Sequence, residues 1–429
     1  MDLLIKSGRV IDPATSFDDK ADVLVINGKI KAISKKLSAA KNMPTLDADG
    51  LLVIPGLIDM HCHLRDPGDP EEETIVSGTR SAALGGFTSI ACMANTLPPI
   101  DSPALIKYIT SKARMEGIIN VFPIGAVSKG LKGEELVEIG RMIQEGAVAF
   151  SDDGHPIMDS EIMRRALEYV RQFDTTIISH CEDLGLTKGG LMNESYTSTV
   201  LGLKGIPSLA EETMVARDIM LAKEFGRLHI AHVSSKKSVE LIRGAKKEGI
   251  NITAETCPHY FTLTEEEVEE FNTDAKVNPP LRSEKDLEAV VKGLKDGSID
   301  VIATDHAPHR SEEKNIEFGA AANGMVGFET ALALVLTELV GTGFLSIINA
   351  IEKMTVNPAK ILNIKKGVLK EGWDADIAVI DPNAEWTVDV NKFASKSKNS
   401  PYHGWTLKGK VLYTIVGGRI IVKDGKLAF

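Results

Sequence analysis

Eight apolar, strand-like runs alternate with stretches of helical periodicity through the middle of this 429-residue chain. The runs are Leu57–Leu64, Phe87–Met93, Asn120–Val127, Ala147–Asp153, Thr175–Glu182, Arg227–Val233, Asn251–Cys257 and Asp300–His306. The helical stretches are 74–84, 103–115, 134–144, 160–172, 209–225, 235–248 and 284–295. Eight strand–helix units predict an α/β fold, a (β/α)8 TIM barrel whose active site lies at the carboxyl ends of the strands. A doubly wound open sheet is the competing topology, but no Gly-x-Gly-x-x-Gly turn follows the first strand.

Both ends of the chain have a different rhythm of short strands and turns. Near the start, the apolar runs are 3–5, 9–11, 23–26 and 30–33, and Asn27-Gly28 is a hairpin signal. After about residue 365 this style returns, with a Gly417-Gly418 turn near the end. We therefore expect a small β-sandwich domain built from residues 1–54 and 366–429, beside a barrel of residues 55–365.

Composition excludes several classes of protein. A net charge of −11 argues against a nucleic-acid surface or an anionic membrane as partner. Cys62, Cys92, Cys181 and Cys257 all lie in apolar runs with neither disulfide-scaffold nor zinc-ribbon spacing, which favours buried free thiols. Without a signal-peptide pattern or a long apolar span, the expected location is the cytoplasm.

His61 and His63 sit at the end of the first predicted strand, just before a Gly/Pro-rich break. Because alternate side chains of a strand share one face, the two imidazoles should point the same way. Two converging imidazoles form half of a metal site. Two satisfied core histidines are the alternative for an isolated His-x-His, and the other strand ends decide against it.

The fourth run ends in Ser151-Asp152-Asp153-Gly154. If Val148 and Phe150 face the helices, then Asp153 points into the barrel and Asp152 is a supporting or loop carboxylate. A simple turn is the alternative for an Asp-Asp-Gly sequence.

Three further strands end in potential ligands. His180 and His232 each follow an apolar run, and the parity of the eighth strand turns Asp305 inward. The same parity turns His306 away, and His229, on the opposite face from His232, is expected to be structural. Four imidazoles and two carboxylates without thiolate suit Zn²⁺, with Mn²⁺ or Co²⁺ as alternatives. Six ligands exceed one tetrahedral ion, so we expect two ions that share a bridging carboxylate and activate a water molecule.

Motifs along nearly the whole chain carry a family resemblance. They are residues 55–68 (Pro-Gly-Leu-Ile-Asp-Met-His-Cys-His-Leu-Arg-Asp-Pro-Gly), Gly85–Thr88, Met93–Thr96, Ser151–Gly154, His180–Asp183, Val277–Arg282, Ala303–His309 and Gly372–Asp376. The chain resembles class I dihydroorotases, in the cyclic-amidohydrolase branch of the amidohydrolase superfamily. The resemblance implies reversible, zinc-dependent cyclisation of N-carbamoyl-L-aspartate to (S)-dihydroorotate in pyrimidine synthesis.

The resemblance also implies roles for individual residues. The first metal falls to His61, His63 and Asp305, the second to His180 and His232, and Asp153 bridges them. Metal-bound hydroxide attacks the ring amide carbonyl, and Asp305 carries the proton to the departing nitrogen. The residues expected to bind substrate are His63, Leu64, Arg65, Asn95, Asn278, His309, Asn323 and Gly324. Arg65 is the carboxylate fork, with a surface ion pair to Asp66 or Asp69 as its alternative.

The chain departs from relatives that bridge their metals with a carboxylated lysine, because residues 147–153 contain no lysine. Alternative functions are another cyclic amidohydrolase (dihydropyrimidinase, hydantoinase or allantoinase) or a weakly active scaffold that partners aspartate transcarbamoylase. Arg65 with Asn95 favours dihydroorotate over substrates without a ring carboxylate. We expect a homo-oligomer, with a transcarbamoylase complex as an open alternative. The polar segment 309–318 is either a mobile lid or an ordinary solvated loop.

Overall fold

The computed structural model describes residues 2–429. Eight parallel strands, paired in chain order, form the central barrel. They are Leu57–Cys62, Phe87–Cys92, Asn120–Gly125, Ala149–Phe150, Ile177–Ser179, Leu228–Ile230, Ile252–Thr256 and Val301–Ile302. The first and last strands meet where the backbone N–H of His63 donates to the carbonyl of His306 at 2.8 Å. The buried carboxylate of Asp59 also accepts from the N–H and hydroxyl of Thr304, at 2.9 and 2.6 Å.

Helices follow the barrel strands and cover them. The α-helices are Ile75–Leu84, Pro103–Glu116, Ile139–Glu145, Ser160–Val170, Leu184–Thr187, Tyr196–Leu201, Leu209–Phe225, Lys236–Lys247, His259–Thr262, Glu284–Asp296, Ser311–Lys314, Ala331–Leu334, Ile347–Lys353 and Val356–Ile361, with a π-helix at Val335–Val340. The seven predicted helices are present, so the barrel prediction is confirmed. The third helix begins five residues after its predicted start at Glu134, because its first turn is replaced by backbone bonds such as Val137 N–H to Val127 O at 3.0 Å.

The two ends of the chain form one separate sheet of nine strands. These strands are Leu3–Asp12, Phe17–Ile26, Lys29–Ser34, Thr45–Asp47, Leu52–Pro55, Ile377–Thr387, Thr406–Val416, Arg419–Lys423 and Lys426–Leu427. The ends join where Leu52–Pro55 pairs antiparallel with Ile377–Thr387. The expectation that both termini build a single β-structure is confirmed.

Two local predictions in the terminal sheet have different outcomes. The Asn27-Gly28 hairpin is confirmed, with both residues at positive φ (51° and 75°), as a two-residue turn of this kind requires. The runs 3–5 and 9–11 are not separate strands. They belong to one strand whose register shifts between Ile5 and Gly8, so the glycine marks an irregularity rather than an end.

Buried side chains divide the barrel into an outer and an inner layer. Phe150 packs with the helices, as the strand's parity predicts, and Ala149 faces the inner cluster with Met60, Ala91 and Ile178. The expectation that Val148 also faces the helices is wrong, because it packs against the inner cluster. The ladder at this strand covers only two residues, so strict alternation does not extend back to residue 148.

Two further predictions concern the cysteines and membrane spans. All four cysteines are buried free thiols. Within residues 2–429, none of the helices combines the length and apolar character that crossing a membrane requires.

A two-stranded sheet, Met192–Asn193 with Gly205–Ile206, lies outside the barrel and the terminal sheet.

Candidate metal centre

The side chains of His61, His63, Asp153, His180, His232 and Asp305 meet at the carboxyl end of the barrel. His61 and His63 lie on one face of the first strand, with ring centroids 5.5 Å apart. The ring of His61 is 5.3 Å from that of His232, which lies two residues after the sixth strand. The structure therefore brings together residues that are up to 244 positions apart in the chain.

Asp153 occupies the middle of this group. One of its oxygens, Oδ1, lies 3.4 Å from His61 Nε2, 3.5 Å from His180 Nδ1 and 3.4 Å from His232 Nε2. The other, Oδ2, lies 3.5 Å from His63 Nε2. A carboxylate that faces imidazoles from both halves of the cluster has the position of a bridge.

Asp305 closes the other side of the cluster. Its Oδ1 is 3.0 Å from His63 Nε2 and 3.5 Å from His61 Nε2. Asp305 and His232 both adopt positive φ, at 47° and 31°, and so does Arg65 at 53°. Non-glycine residues rarely occupy this region, and such strain concentrates at functional sites.

The histidines and the carboxylates of the cluster shift each other's pKa values. Burial lowers the pKa of His61, but Asp153, Glu255 and Asp305 outweigh it and raise that pKa well above its ordinary value. Burial also raises the pKa of Asp153, but His61, His180 and His232 outweigh it and hold the pKa well below its usual range. These shifts favour ionised carboxylates beside a protonated His61, so a metal ion would bind here by displacing the imidazole proton.

The unpaired atoms of the cluster fit metal ions. Among the described residues, His61 Nε2 and Asp153 Oδ1 find no hydrogen-bond partner of suitable geometry although both atoms are buried, which is costly unless a further group binds there. Two ligand sets, His61–Asp153–His232 and His61–His63–Asp305, each place their atoms within 4.8 Å of one another. Imidazole nitrogens and carboxylate oxygens are the donors that zinc takes in catalytic sites.

Hydrogen bonds on the far side of three rings direct the other nitrogen of each ring into the cluster. His61 Nδ1 donates to Glu255 Oε1 at 2.5 Å, and His63 Nδ1 to Asn95 Oδ1 at 2.8 Å. His180 Nε2 donates to Glu182 at 2.8 Å, so its Nδ1 faces inward, 2.8 Å from His232 Nε2. Such outer partners fix the tautomer and orientation of a ligand histidine.

Glu255 is the main residue that sequence reasoning missed. It is fully buried at mid-strand, and its second oxygen lies 3.2 Å from His229 Nε2. Burial raises the pKa of Glu255, but His61 and His229 outweigh it and lower the pKa to about 2. The signal was present in the sequence, since a carboxylate inside an apolar strand needs a cationic or hydrogen-bonding partner.

His229, His306 and Asp152 were expected to lie outside the metal cluster, and the structure places all three outside it. His229 also bonds Thr253 Oγ1 at 2.8 Å, and His306 stacks on Phe328 with 4.0 Å between centroids. Asp152 accepts from the backbone N–H groups of Val127 and Ser128, at 2.7 and 3.1 Å. These contacts hold loops and strands in place around the cluster.

Arg65 lies at the rim with His309, Glu72 and Asn323. Its Nε is 3.2 Å from Glu72 Oε2 and from the carbonyl of Pro308, and its Nη2 is 3.2 Å from His309 Nε2. His309 Nδ1 donates to Glu72 Oε1 at 2.9 Å, and its Nε2 lies 2.8 Å from the carbonyl of Asn323. The ion pair is thus with Glu72, not with the alternatives Asp66 and Asp69.

The remaining expected substrate residues surround the same opening. Asn95 lies between His63 and Asp153, with its Nδ2 3.5 Å from Asp153 Oδ2. Asn278 Nδ2 donates to Glu182 Oε2 at 2.9 Å, on the His180 side. A Cβ on Gly324, at φ 136°, would come within 2.7 Å of the Cβ of Ala307, so this position requires glycine.

Sequence comparison places this site in a family. A family profile described as "Dihydro-orotase-like" matches residues 50–238. The chain is 59% identical to the dihydroorotase of Acetivibrio thermocellus over 424 residues, covering 98% of this chain and 99% of that one. It is 55% identical to the dihydroorotase of Geobacter metallireducens, covering 99% and 100%. The chain belongs to the dihydroorotase family.

Solved structures support the same class of enzyme. The L-hydantoinase (dihydropyrimidinase) of Arthrobacter aurescens superposes with a TM-score of 0.91 at 29% identity, covering 100% of this chain and 97% of that one. The dihydropyrimidinase of Brevibacillus agri has a TM-score of 0.87 at 25% identity, covering 100% and 96%. The chain is therefore a cyclic amidohydrolase of the metal-dependent kind. Its much higher identity to dihydroorotases separates it from the hydantoinases with which it shares the fold.

Proposed function

We propose that this dihydroorotase-family enzyme interconverts N-carbamoyl-L-aspartate and (S)-dihydroorotate at a zinc centre held by the six clustered side chains. The observation that carries the proposal is their convergence around Asp153. Arg65, which would bind a carboxylate, follows the cluster residue His63 by two positions. Residues 55–365 would form the catalytic barrel domain, and residues 1–54 and 366–429 the β-domain beside it.

Two zinc ions fit the division of ligands. His61, His63 and Asp305 would hold one ion, His180 and His232 the other, and Asp153 would bridge them, replacing a carboxylated lysine. Bound zinc supplies a water with a lowered pKa and an electrophile for the ring carbonyl. The chain's contribution is the orientation of the ligands, which the bonds from Glu255, Asn95 and Glu182 provide.

Asp305 is the residue we assign to proton transfer. Burial raises its pKa, but His61 and His63 outweigh burial and lower that pKa below its ordinary value, so the carboxylate is ionised and able to accept a proton. In the hydrolytic direction, an Asp305 oxygen would take a proton from the attacking water and release it to the departing ring nitrogen. In the synthetic direction the ureido nitrogen would attack the side-chain carboxylate carbon, and the same Asp305 oxygen would take the N–H proton. It would pass that proton to the carboxylate oxygen whose bond to carbon breaks, and with a second proton from solvent this oxygen leaves as water.

Arg65 would bind the ring carboxylate of dihydroorotate. The protein contacts its Nε and Nη2, and a guanidinium presents five N–H donors in a planar fork. Asn95, Asn278 and His309 would bind the ring from the sides. The backbone around Leu64, Asn323 and Gly324 would complete the pocket with His63, which both ligates metal and faces the substrate.

The expected assembly and location extend this proposal. We propose a homo-oligomer in the cytoplasm, with an aspartate transcarbamoylase complex as a second state. Size-exclusion chromatography with light scattering, with and without purified transcarbamoylase, tests both. A monomeric mass that does not change when transcarbamoylase is added would contradict this assignment.

The substrate assignment is tested by a panel assay. Zinc-loaded enzyme is given dihydroorotate, dihydrouracil, hydantoin or allantoin, with Arg65→Met as the matched variant. We expect dihydroorotate to be hydrolysed with the highest kcat/KM and to lose most in the variant. Preference for dihydrouracil, hydantoin or allantoin would reject the proposal in favour of another cyclic amidohydrolase.

A further inference from the structure

A segment from the C-terminal part of the chain, residues 394–400, lies against the loops that carry the expected substrate residues. It leaves the terminal sheet between strands Ile377–Thr387 and Thr406–Val416. Ser395, Ser397 and Asn399 in this segment are almost fully buried, with exposed fractions of 1%, 5% and 5%. Polar residues are buried in this way when their hydrogen bonds are satisfied.

The segment is fastened to the barrel at its beginning. The backbone N–H of Ala394 donates to Glu329 Oε1 at 2.7 Å. The hydroxyl of Ser395 donates to Glu73 Oε2 at 2.5 Å, and that of Ser397 donates to the carbonyl of Glu72 at 2.8 Å. Glu72 is the carboxylate that contacts both Arg65 and His309. The segment therefore supports the loop on one side of the opening.

Asn399 supports the other side. Its Oδ1 accepts from the backbone N–H of His309 at 3.2 Å. Its Nδ2 donates to the carbonyls of Ala307 and Gly324, both at 3.0 Å. Its own carbonyl accepts from the N–H of Val326 at 2.8 Å. One side chain thus ties the loop after the eighth strand to the loop that contains Gly324.

We infer that Asn399 is a positioning residue for substrate binding, because it fixes the distance between the His309 backbone and the Gly324 backbone. The inference rests on the proposed function, in which His309, Asn323 and Gly324 face the substrate. Within residues 2–429, the hydrogen bonds of the Asn399 side chain go to backbone atoms of His309, Ala307 and Gly324, and none goes to a side chain of the metal cluster. Its removal changes the shape of the pocket and leaves the zinc centre as it is.

The geometry distinguishes two substitutions. Asn399→Ala removes all three side-chain hydrogen bonds and introduces no repulsion. Asn399→Asp keeps an acceptor for the His309 N–H but places a second carboxylate oxygen 3.0 Å from two carbonyls that need a donor. Asn391→Ala is the matched control, because Asn391 is exposed and its side-chain Nδ2 donates to Asp389 Oδ1, at 3.3 Å, rather than to a loop of the site.

The experiment measures steady-state kinetics with dihydroorotate, zinc content, and amide hydrogen exchange in the zinc-loaded full chain. We expect both Asn399 variants to raise KM by about tenfold or more, with kcat within about threefold and unchanged zinc content. The amide of His309 should exchange faster in Asn399→Ala than in wild type or Asn391→Ala. Asn399→Ala remains informative if the aspartate variant fails to fold.

Two results would overturn the inference. One is a wild-type KM together with wild-type exchange at His309 in Asn399→Ala. The other is a lower kcat at unchanged KM, which a merely structural role produces by reducing the number of active molecules. Failure of the proposed function is separate: it shows as wild-type enzyme that does not turn over dihydroorotate, and the exchange measurement still reads the effect of Asn399 on the loop.

Discussion

Replacement of Glu255 should weaken metal binding without unfolding the barrel. The carboxylate is fully buried, and its Oε1 accepts from His61 Nδ1 at 2.5 Å, a short, charge-assisted hydrogen bond. Such a bond contributes about 1.5–3 kcal/mol, which corresponds to about 10–150-fold in an equilibrium constant. Losses of about 10–100-fold in metal affinity are typical when the outer partner of a ligand histidine is removed.

Two variants separate charge from hydrogen bonding. Glu255→Gln keeps an acceptor for His61 Nδ1 and removes the charge, so we expect about a tenfold loss of zinc affinity. Glu255→Leu also leaves His61 Nδ1 without a partner, and we expect about a hundredfold loss. Glu265→Gln is the matched control, because Glu265 is also buried and bonds Asn193 at 2.7 Å rather than any residue of the cluster.

The assay is a competition titration of metal-free protein with zinc against a chromophoric chelator, with circular dichroism to confirm folding. Wild-type zinc affinity in folded Glu255→Gln and Glu255→Leu would show that Glu255 does not support His61 as a metal ligand. An equal loss in Glu265→Gln would also contradict that role, because the effect would then be general rather than local to His61.

Three other perturbations test separate parts of the account. Asp305→Ala should lower kcat by about 10²–10⁴-fold while the thermal unfolding curve stays cooperative, and unchanged turnover would exclude it as proton carrier. Arg65→Met should raise KM for dihydroorotate by about 10–150-fold with far less effect on zinc content, and equal losses of both would make the arginine structural. Burial raises the pKa of Glu329 to about 7, although bonds from Ser81 and Ala394 oppose it, so folding favours its protonated form. The free energy of unfolding of the wild type should therefore fall as the pH rises from about 4.5 to about 7. In urea unfolding, Glu329→Gln should be more stable than the wild type at pH 8 but not at pH 5. A difference between the two proteins that does not depend on pH would contradict this.

The barrel was predictable because its signals are local and repeated. Each strand and helix carries its own periodicity, and eight repeats leave few possible folds. The strand ends were predicted less well. The fourth strand was expected to be Ala147–Asp153, but only Ala149–Phe150 is paired as a strand, because ladder pairing with the neighbours ends before the chain turns toward Asp153.

The residues of the candidate site also differ in how far the sequence predicts them. Period two placed His61 and His63 on one face and turned Asp153 and Asp305 inward, which the structure reproduces. Asn399 carried no such signal, because its partners lie in loops about 75–92 residues earlier in the chain. Contacts of this kind depend on how the terminal sheet packs beside the barrel, and periodicity holds no information about that packing.

Anomalous X-ray diffraction at the zinc edge, on crystals of the zinc-loaded chain, would show whether the six clustered side chains hold two zinc ions. We expect anomalous peaks at ligand distance, about 2.0–2.2 Å, from the inward nitrogens and oxygens of these side chains, with Asp153 shared between two ions. Zinc bound elsewhere, or ligated without Asp153, His180 and His232, would contradict it.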